Sequence, residues 1–232
     1  MGSTTLVKPL ARERRFCTQL LTEFTGMAKG GMTTNPLTSI CVYCGSSPGN
    51  DPDYLDSGRI LGRAIGEAGL RLVYGGGTKG IMGAVADGTM EAGGKVIGII
   101  PRFLMNKEAT EKALGVLDEL VVTEDMHERK HRMFEESDAF VTLPGGIGTL
   151  EEVIEIMTWA QLGRHTKPIV LANINGFWDP LSMLIDHMRD AGFIHTGHRV
   201  QPLVVNSARE IVPAILAARE HGEGDEKIIE RM

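Results

Sequence analysis

Apolar residues in this chain fall into short unbroken runs separated by stretches of helical period. The runs Ser39 to Cys44, Leu70 to Tyr74, Lys95 to Ile100, Glu119 to Val122, Ala139 to Leu143, Pro168 to Ala172 and Leu203 to Val205 read as strands. Between them the spacing predicts helices over Tyr54 to Gly69, Ile81 to Ala92, Met126 to Glu136, Thr149 to Leu162, Asp179 to Ala191 and Ala208 to Glu220. Gly69, Gly93-Gly94 and Pro101 punctuate the ends. Strands that are apolar throughout are covered on both faces, and their alternation with helices predicts an α/β fold with one doubly wound parallel sheet.

Residues 1–36 read as a partly flexible tail in which only Phe16 to Phe24 suggests a short amphipathic helix. Residues 37–220 make the domain, and 221–232 a charged tail. At 232 residues, with 42% apolar and 23% charged, the chain suits one globular domain with a sizeable core. The net charge of -6 supplies no basic field for a nucleic-acid partner. No apolar run approaches the roughly 18 residues of a membrane span. The start has no apolar stretch of the secretory kind. Three cysteines, Cys17, Cys41 and Cys44, give no disulfide framework. A cytoplasmic protein acting on a small molecule is the expectation.

In a doubly wound sheet ligands bind at the carboxyl ends of the strands. Three glycine-rich turns fall there: Gly45-Ser46-Ser47, Gly75-Gly76-Gly77-Thr78 and Pro144-Gly145-Gly146-Ile147-Gly148-Thr149. Singly each reads as a tight strand-to-helix turn. Three on one sheet edge point to a phosphate site, because glycine lets backbone N–H groups approach an anion and a helix N-terminus adds its dipole. Thr149 is expected to cap the helix and to donate its hydroxyl. No Walker motif is present. The G-x-G-x-x-G of Gly75 to Gly80 lacks the acidic residue of a dinucleotide site.

In the helix after the third loop, Leu150, Val153, Ile154 and Met157 form the expected buried stripe, with Glu151, Glu152 and Glu155 opposite. His127-Glu128-Arg129-Lys130-His131 has the form H-E-x-x-H, but Arg129 and Lys130 oppose a Zn²⁺ ion and no third ligand follows at motif spacing; no metal or cofactor is expected. Met126, Lys130 and Met133 share a stripe with Arg129 at its edge, which draws at least one cation inward. Cys41-Val42-Tyr43-Cys44 lies within a strand, so its thiols face opposite sides as small core residues.

These residues carry a resemblance. Pro144 to Glu152 spells the PGGxGTxxE signature of the LOG (Lonely Guy) proteins, once labelled possible lysine decarboxylases. Tyr43-Cys44-Gly45-Ser46-Ser47, Tyr74-Gly75-Gly76-Gly77, Gly80-Ile81-Met82-Gly83, Met126 to Lys130 and Thr158-Trp159-Ala160-Gln161-Leu162-Gly163 resemble further family blocks, in order, over residues 38 to 218. The resemblance implies a Rossmann-like fold and a homodimer or larger homo-oligomer. It implies hydrolysis of a cytokinin riboside 5'-monophosphate, or AMP, to free base and ribose 5-phosphate. By motif position Arg129 and Glu152 are the implied catalytic pair. Lys130, Gly145, Gly146, Ile147, Gly148, Thr149, Leu150, Glu151 and Thr158 are implied substrate contacts. Gly45, Ser46, Gly76 and Gly77 are placed on the substrate with them. Glu108 is carried over as the family's glutamate ahead of the Arg–Lys pair, across a longer stretch than the family's usual spacing.

Two other readings compete. A nucleotide- or molybdenum-cofactor-binding carrier of the same fold also needs glycine loops, but not Arg129 with Glu152. A pyridoxal-phosphate lysine decarboxylase needs a Schiff-base lysine that no motif supplies.

Overall fold

The computed structural model describes residues 36–105, 115, 117–194 and 202–219. The suggested helix at Phe16 to Phe24, Glu108, the tail 221–232 and all of the first tail but Pro36 lie outside them.

Seven parallel strands form one sheet: β1 (Ser39–Tyr43), β2 (Arg71–Tyr74), β3 (Val96–Pro101), β4 (Glu119–Thr123), β5 (Ala139–Thr142), β6 (Ile169–Ala172) and β7 (Leu203–Val205). Their order is β4-β3-β2-β1-β5-β6-β7, so the winding reverses between β1 and β5. Register there pairs Ile40 with Ala139 and Tyr43 with Thr142, which brings the turns after both strands side by side. Gly45 N–H donates to the Pro144 carbonyl at 3.1 Å, and Met82 N–H donates to the Gly45 carbonyl at 3.2 Å.

The helices are α1 (Pro52–Glu67), α2 (Gly80–Glu91), α3 (Met126–Glu135), α4 (Ile147–Gln161) and α5 (Asp179–Asp190), followed by α6 over 211–219. Alternation along β1 divides the core. Ile40 and Val42 pack with Leu61, Ile65, Val85, Ile211 and Ile215 of α1, α2 and α6. Cys41 and Tyr43 pack with Met133, Val153, Ile156, Leu181 and Ile185 of α3, α4 and α5. The two thiols thus face opposite layers, as their spacing requires.

Hydrophobic period alone misses how α1 meets α2. Gly58, Gly62 and Gly66 lie on the buried face of α1. A Cβ on Gly62 would stand 2.2 Å from the Val85 carbonyl oxygen, and one on Gly88 2.4 Å from that of Arg59. The two backbones therefore touch.

Three boundaries differ from expectation. Pro101 is the last residue of β3, beside Thr123 of β4, rather than a stop before it. The last helix opens with a 3-10 turn at Ala208–Glu210. Helix α4 starts at Ile147, with Gly146 as its N-cap, so Thr149 lies within the first turn and does not cap it. A cap must keep extended backbone outside the helix, and here Gly146 takes that place (φ -94°, ψ -159°).

Candidate active site

The segments after β1, β3 and β5, Met82 of α2 and the first turns of α3 and α4 enclose a cleft of about 290 Å³. Cys44, Gly45, Ser46, Met82, Leu104, Met126, Arg129, Gly146, Gly148, Thr149 and Glu152 line it. A second pocket of about 260 Å³ adjoins it through Gly45, Ser46 and Gly146, with Tyr54, Ile81 and Phe177 as its apolar walls. A larger depression of about 460 Å³ lies among Gly69, Arg71 and Gly93 to Lys95, at the amino ends of the strands, away from this chemistry.

The first turn of α3 delivers Arg129. Asp125 caps the helix by accepting from Glu128 N–H at 2.9 Å, and the Glu128 carboxylate accepts from Glu124 N–H at 2.9 Å. The glutamate of the H-E-x-x-H string is thus part of a cap. His127 and His131 are exposed, with His131 3.1 Å from Glu135. Arg129 is the cation drawn inward, 4% exposed. Its Nε donates to the Ile99 carbonyl at 3.2 Å and its Nη1 faces the Met126 sulfur at 3.7 Å.

Helix α4 delivers Glu152, and here the expected stripe was turned. The buried face of α4 is Thr149, Glu152, Val153, Ile156 and Met157, while Ile154 is 39% exposed. Period counting sends every carboxylate to solvent; Glu152 points inward because Arg129 meets it. Its Oε1 lies 3.6 Å from Arg129 Nη2, and both side chains are almost fully buried. Such a pair is costly to desolvate and contributes little net stability, so its presence inside a cleft is a functional signal.

Gly146 gives the start of α4 no side-chain cap, which leaves first-turn amides directed at the cleft. Thr149 stands against Gly145, whose Cβ would fall 2.2 Å from its hydroxyl.

The structure brings together Arg129, Glu152, Gly45, Ser46, Gly146, Gly148 and Thr149, while Gly145 lines the adjoining pocket. It places the other expected contacts elsewhere. Lys130 Nζ lies 2.6 Å from Glu151 and 3.2 Å from Glu155; burial works against its charge, but these two carboxylates outweigh that and raise its pKa. Glu151, Thr158 and Ile147 lie on the outer face of α4, and the Thr158 hydroxyl donates to the Ile154 carbonyl at 2.7 Å. Leu150 is partly buried and packs on the α3–α5 layer. Gly76 is buried against Ile100, and Gly77 against Met82.

Sequence reasoning missed Met82, Leu104, Met126 and the wall position of Cys44. Met82, Met126 and Cys44 lie inside the sequence blocks quoted for the resemblance, but nothing in those blocks marked them as lining the cleft. Burial, then the charge of Glu152, pushes the Cys44 thiol well above its ordinary value, so it stays a protonated wall. Among the described residues no group of His, Cys, Asp and Glu is arranged to hold a metal ion, and no helix is long and apolar enough to cross a membrane.

Residues 82–215 match the model of the family described as possible lysine decarboxylase. The chain is 44% identical over 185 residues to the cytokinin riboside 5'-monophosphate phosphoribohydrolase LOG5 of Arabidopsis thaliana, covering 80% of each chain. It is 46% identical over 173 residues to the cytokinin riboside 5'-monophosphate phosphoribohydrolase LOG of Oryza sativa subsp. japonica, covering 75% of this chain and 70% of that one. Its fold is similar to that of the molybdenum cofactor carrier protein MCP from Chlamydomonas reinhardtii, with a TM-score of 0.60 over 80% of this chain and 99% of that one. At 23% identity that likeness concerns the fold alone.

Proposed function

The chain belongs to the LOG family of phosphoribohydrolases, and we propose that it hydrolyses the N-glycosidic bond of a cytokinin riboside 5'-monophosphate, or of AMP. The products are the free base and ribose 5-phosphate. The observation that carries this reading is the buried Arg129–Glu152 pair, 3.6 Å apart in a cleft that also holds an uncapped helix N-terminus.

The phosphate is held by the first-turn amides of α4 and the Thr149 hydroxyl, which places the ribose one helical turn further along, beside Glu152. As the bond from C1' to the base nitrogen breaks, its electron pair leaves with the base and the ribose gains oxocarbenium character. The Glu152 carboxylate stabilises that charge and takes a proton from the water that adds to C1'. Arg129 holds Glu152 and the ribose in place. The base takes up one proton on leaving, which balances the one released by water.

Lys130, Glu151 and Thr158 support a second part of the proposal. They lie outside the cleft, yet Glu151 and Thr158 share the outer face of α4 with Ile147 and Ile154, 82% and 39% exposed. We propose a homodimer built on this face, which brings these side chains to the partner's substrate. The free, buried thiols of Cys41 and Cys44 fit a cytoplasmic setting.

Metal-free incubation with AMP and with N6-isopentenyl-AMP, followed by chromatography of base and ribose 5-phosphate, tests the reaction and ranks the bases. Equal amounts of the two products are expected. Bound nucleotide without base release would favour the carrier reading.

A further inference from the structure

We infer that Gly75 is a positioning residue for the reaction, because its missing side chain is the space in which the Arg129 guanidinium reaches Glu152. The inference rests on the role given to Arg129 above.

Gly75 is buried directly after β2. A Cβ built there would stand 2.1 Å from Arg129 Nη2 and 3.3 Å from Cζ. The first distance lies well inside van der Waals contact, so a methyl group and this guanidinium position exclude one another. The displaced nitrogen is the one that faces Glu152 Oε1 at 3.6 Å. The other nitrogens are already fixed, Nε on the Ile99 carbonyl and Nη1 against Met126. The guanidinium is therefore bounded by β3 and α3, with Glu152 of α4 ahead of it and Gly75 beside it.

Each glycine of the triplet has its own reason. Gly76 has φ 74° and needs glycine for its backbone. Gly77 yields room to the Met82 sulfur, 2.6 Å from its built Cβ. Gly75 is not among the positive-φ residues, so alanine there costs no backbone strain. What must give way is the end of a flexible side chain. Gly75→Ala thus moves the guanidinium while leaving its charge in the protein. Phosphate is held on α4, so the effect falls on kcat rather than on nucleotide binding.

The test is a kinetic cycle of Gly75→Ala, Arg129→Ala and the double variant, with melting temperature and AMP affinity measured for each. Gly75→Ala is expected to lower kcat on the order of 10- to 100-fold, the size of effect that displacement of a positioned group produces. AMP affinity stays close to wild type, and the melting temperature falls less than in Arg129→Ala, because the buried charge is displaced and not removed. In the Arg129→Ala background the same substitution adds no further loss, since no guanidinium remains to be displaced. An unchanged kcat in Gly75→Ala, or a loss of equal size in both backgrounds, overturns the inference while leaving the catalytic role of Arg129 intact. Wild-type kcat in Arg129→Ala overturns both. If Gly75→Ala fails to fold, a double variant that folds as well as Arg129→Ala supports the overlap, and one that folds less well than Arg129→Ala refutes it.

Discussion

The two ends of the α3–α4 pair differ in chemistry although the same helices build both. At their amino ends lie Arg129 and Glu152, buried and charged, beside first-turn amides without a side-chain cap. At their carboxyl ends the Phe134 ring stacks on Phe140 at 5.9 Å and meets Trp159 edge-on at 5.0 Å. Lys167 Nζ lies 4.0 Å over the Phe134 ring and donates to the Phe134 carbonyl at 2.8 Å, and Arg164 lies 5.3 Å over Trp159. Helix direction explains the division. Amino ends present N–H groups and attract anions, while carboxyl ends present carbonyls and attract cations. Because all strands are parallel, both helices start at the carboxyl edge of the sheet, where ligands of doubly wound sheets bind. One end is thus free for chemistry, and the other fastens the helices to the sheet.

The sharpest way to break this comparison is Arg129→Ala. It removes the buried cation facing Glu152, so turnover is expected to fall on the order of 100-fold. Stability should fall too, by about 3–5 kcal/mol, as when one partner of a buried pair is deleted. Paired kinetics and denaturant unfolding check both.

Phe134→Ala at the other end should separate the two properties. It takes away the ring on which Phe140, Trp159, His165 and Lys167 converge. A loss of roughly 2–4 kcal/mol of stability is expected from that truncation. Turnover per folded molecule should stay at the wild-type level.

The smallest effect concerns pH. His165 is held neutral: Nε2 lies 3.0 Å from the Ile156 carbonyl, and Nδ1 accepts from Lys167 N–H at 3.2 Å. Burial, with a smaller push from Lys167, lowers its pKa below the ordinary 6.5. Below that value the unfolded chain takes the proton first, so stability is lost as pH falls from about 6.5 toward the depressed folded value. Melting curves recorded from about pH 7.5 down to about 5.5 should show a decline that is smaller in His165→Gln.

Much of the fold was legible because each strand is an apolar run closed by a turn residue. The strand order was not, since the runs of β1, β2 and β5 look alike and nothing local says which are neighbours. The candidate site was legible as motif positions but not as directions. Pro144 to Thr149 marked an anion loop, yet the inward aim of Glu152 contradicts its polarity and follows only from meeting Arg129. Lys130, adjacent in sequence, turned instead to Glu151 and Glu155. The close approaches at Gly62, Gly75 and Gly88 were invisible for a similar reason: a glycine in a sequence does not say what occupies its missing side chain.

The most direct test of the proposed catalytic pair is Glu152→Gln, which keeps the shape of the side chain and removes its charge. The measurement is kcat for base release from AMP beside AMP affinity by calorimetry. A fall of about 100-fold or more in kcat with binding retained is the predicted result. Base release at the wild-type rate would contradict the assignment of Glu152 to the chemistry.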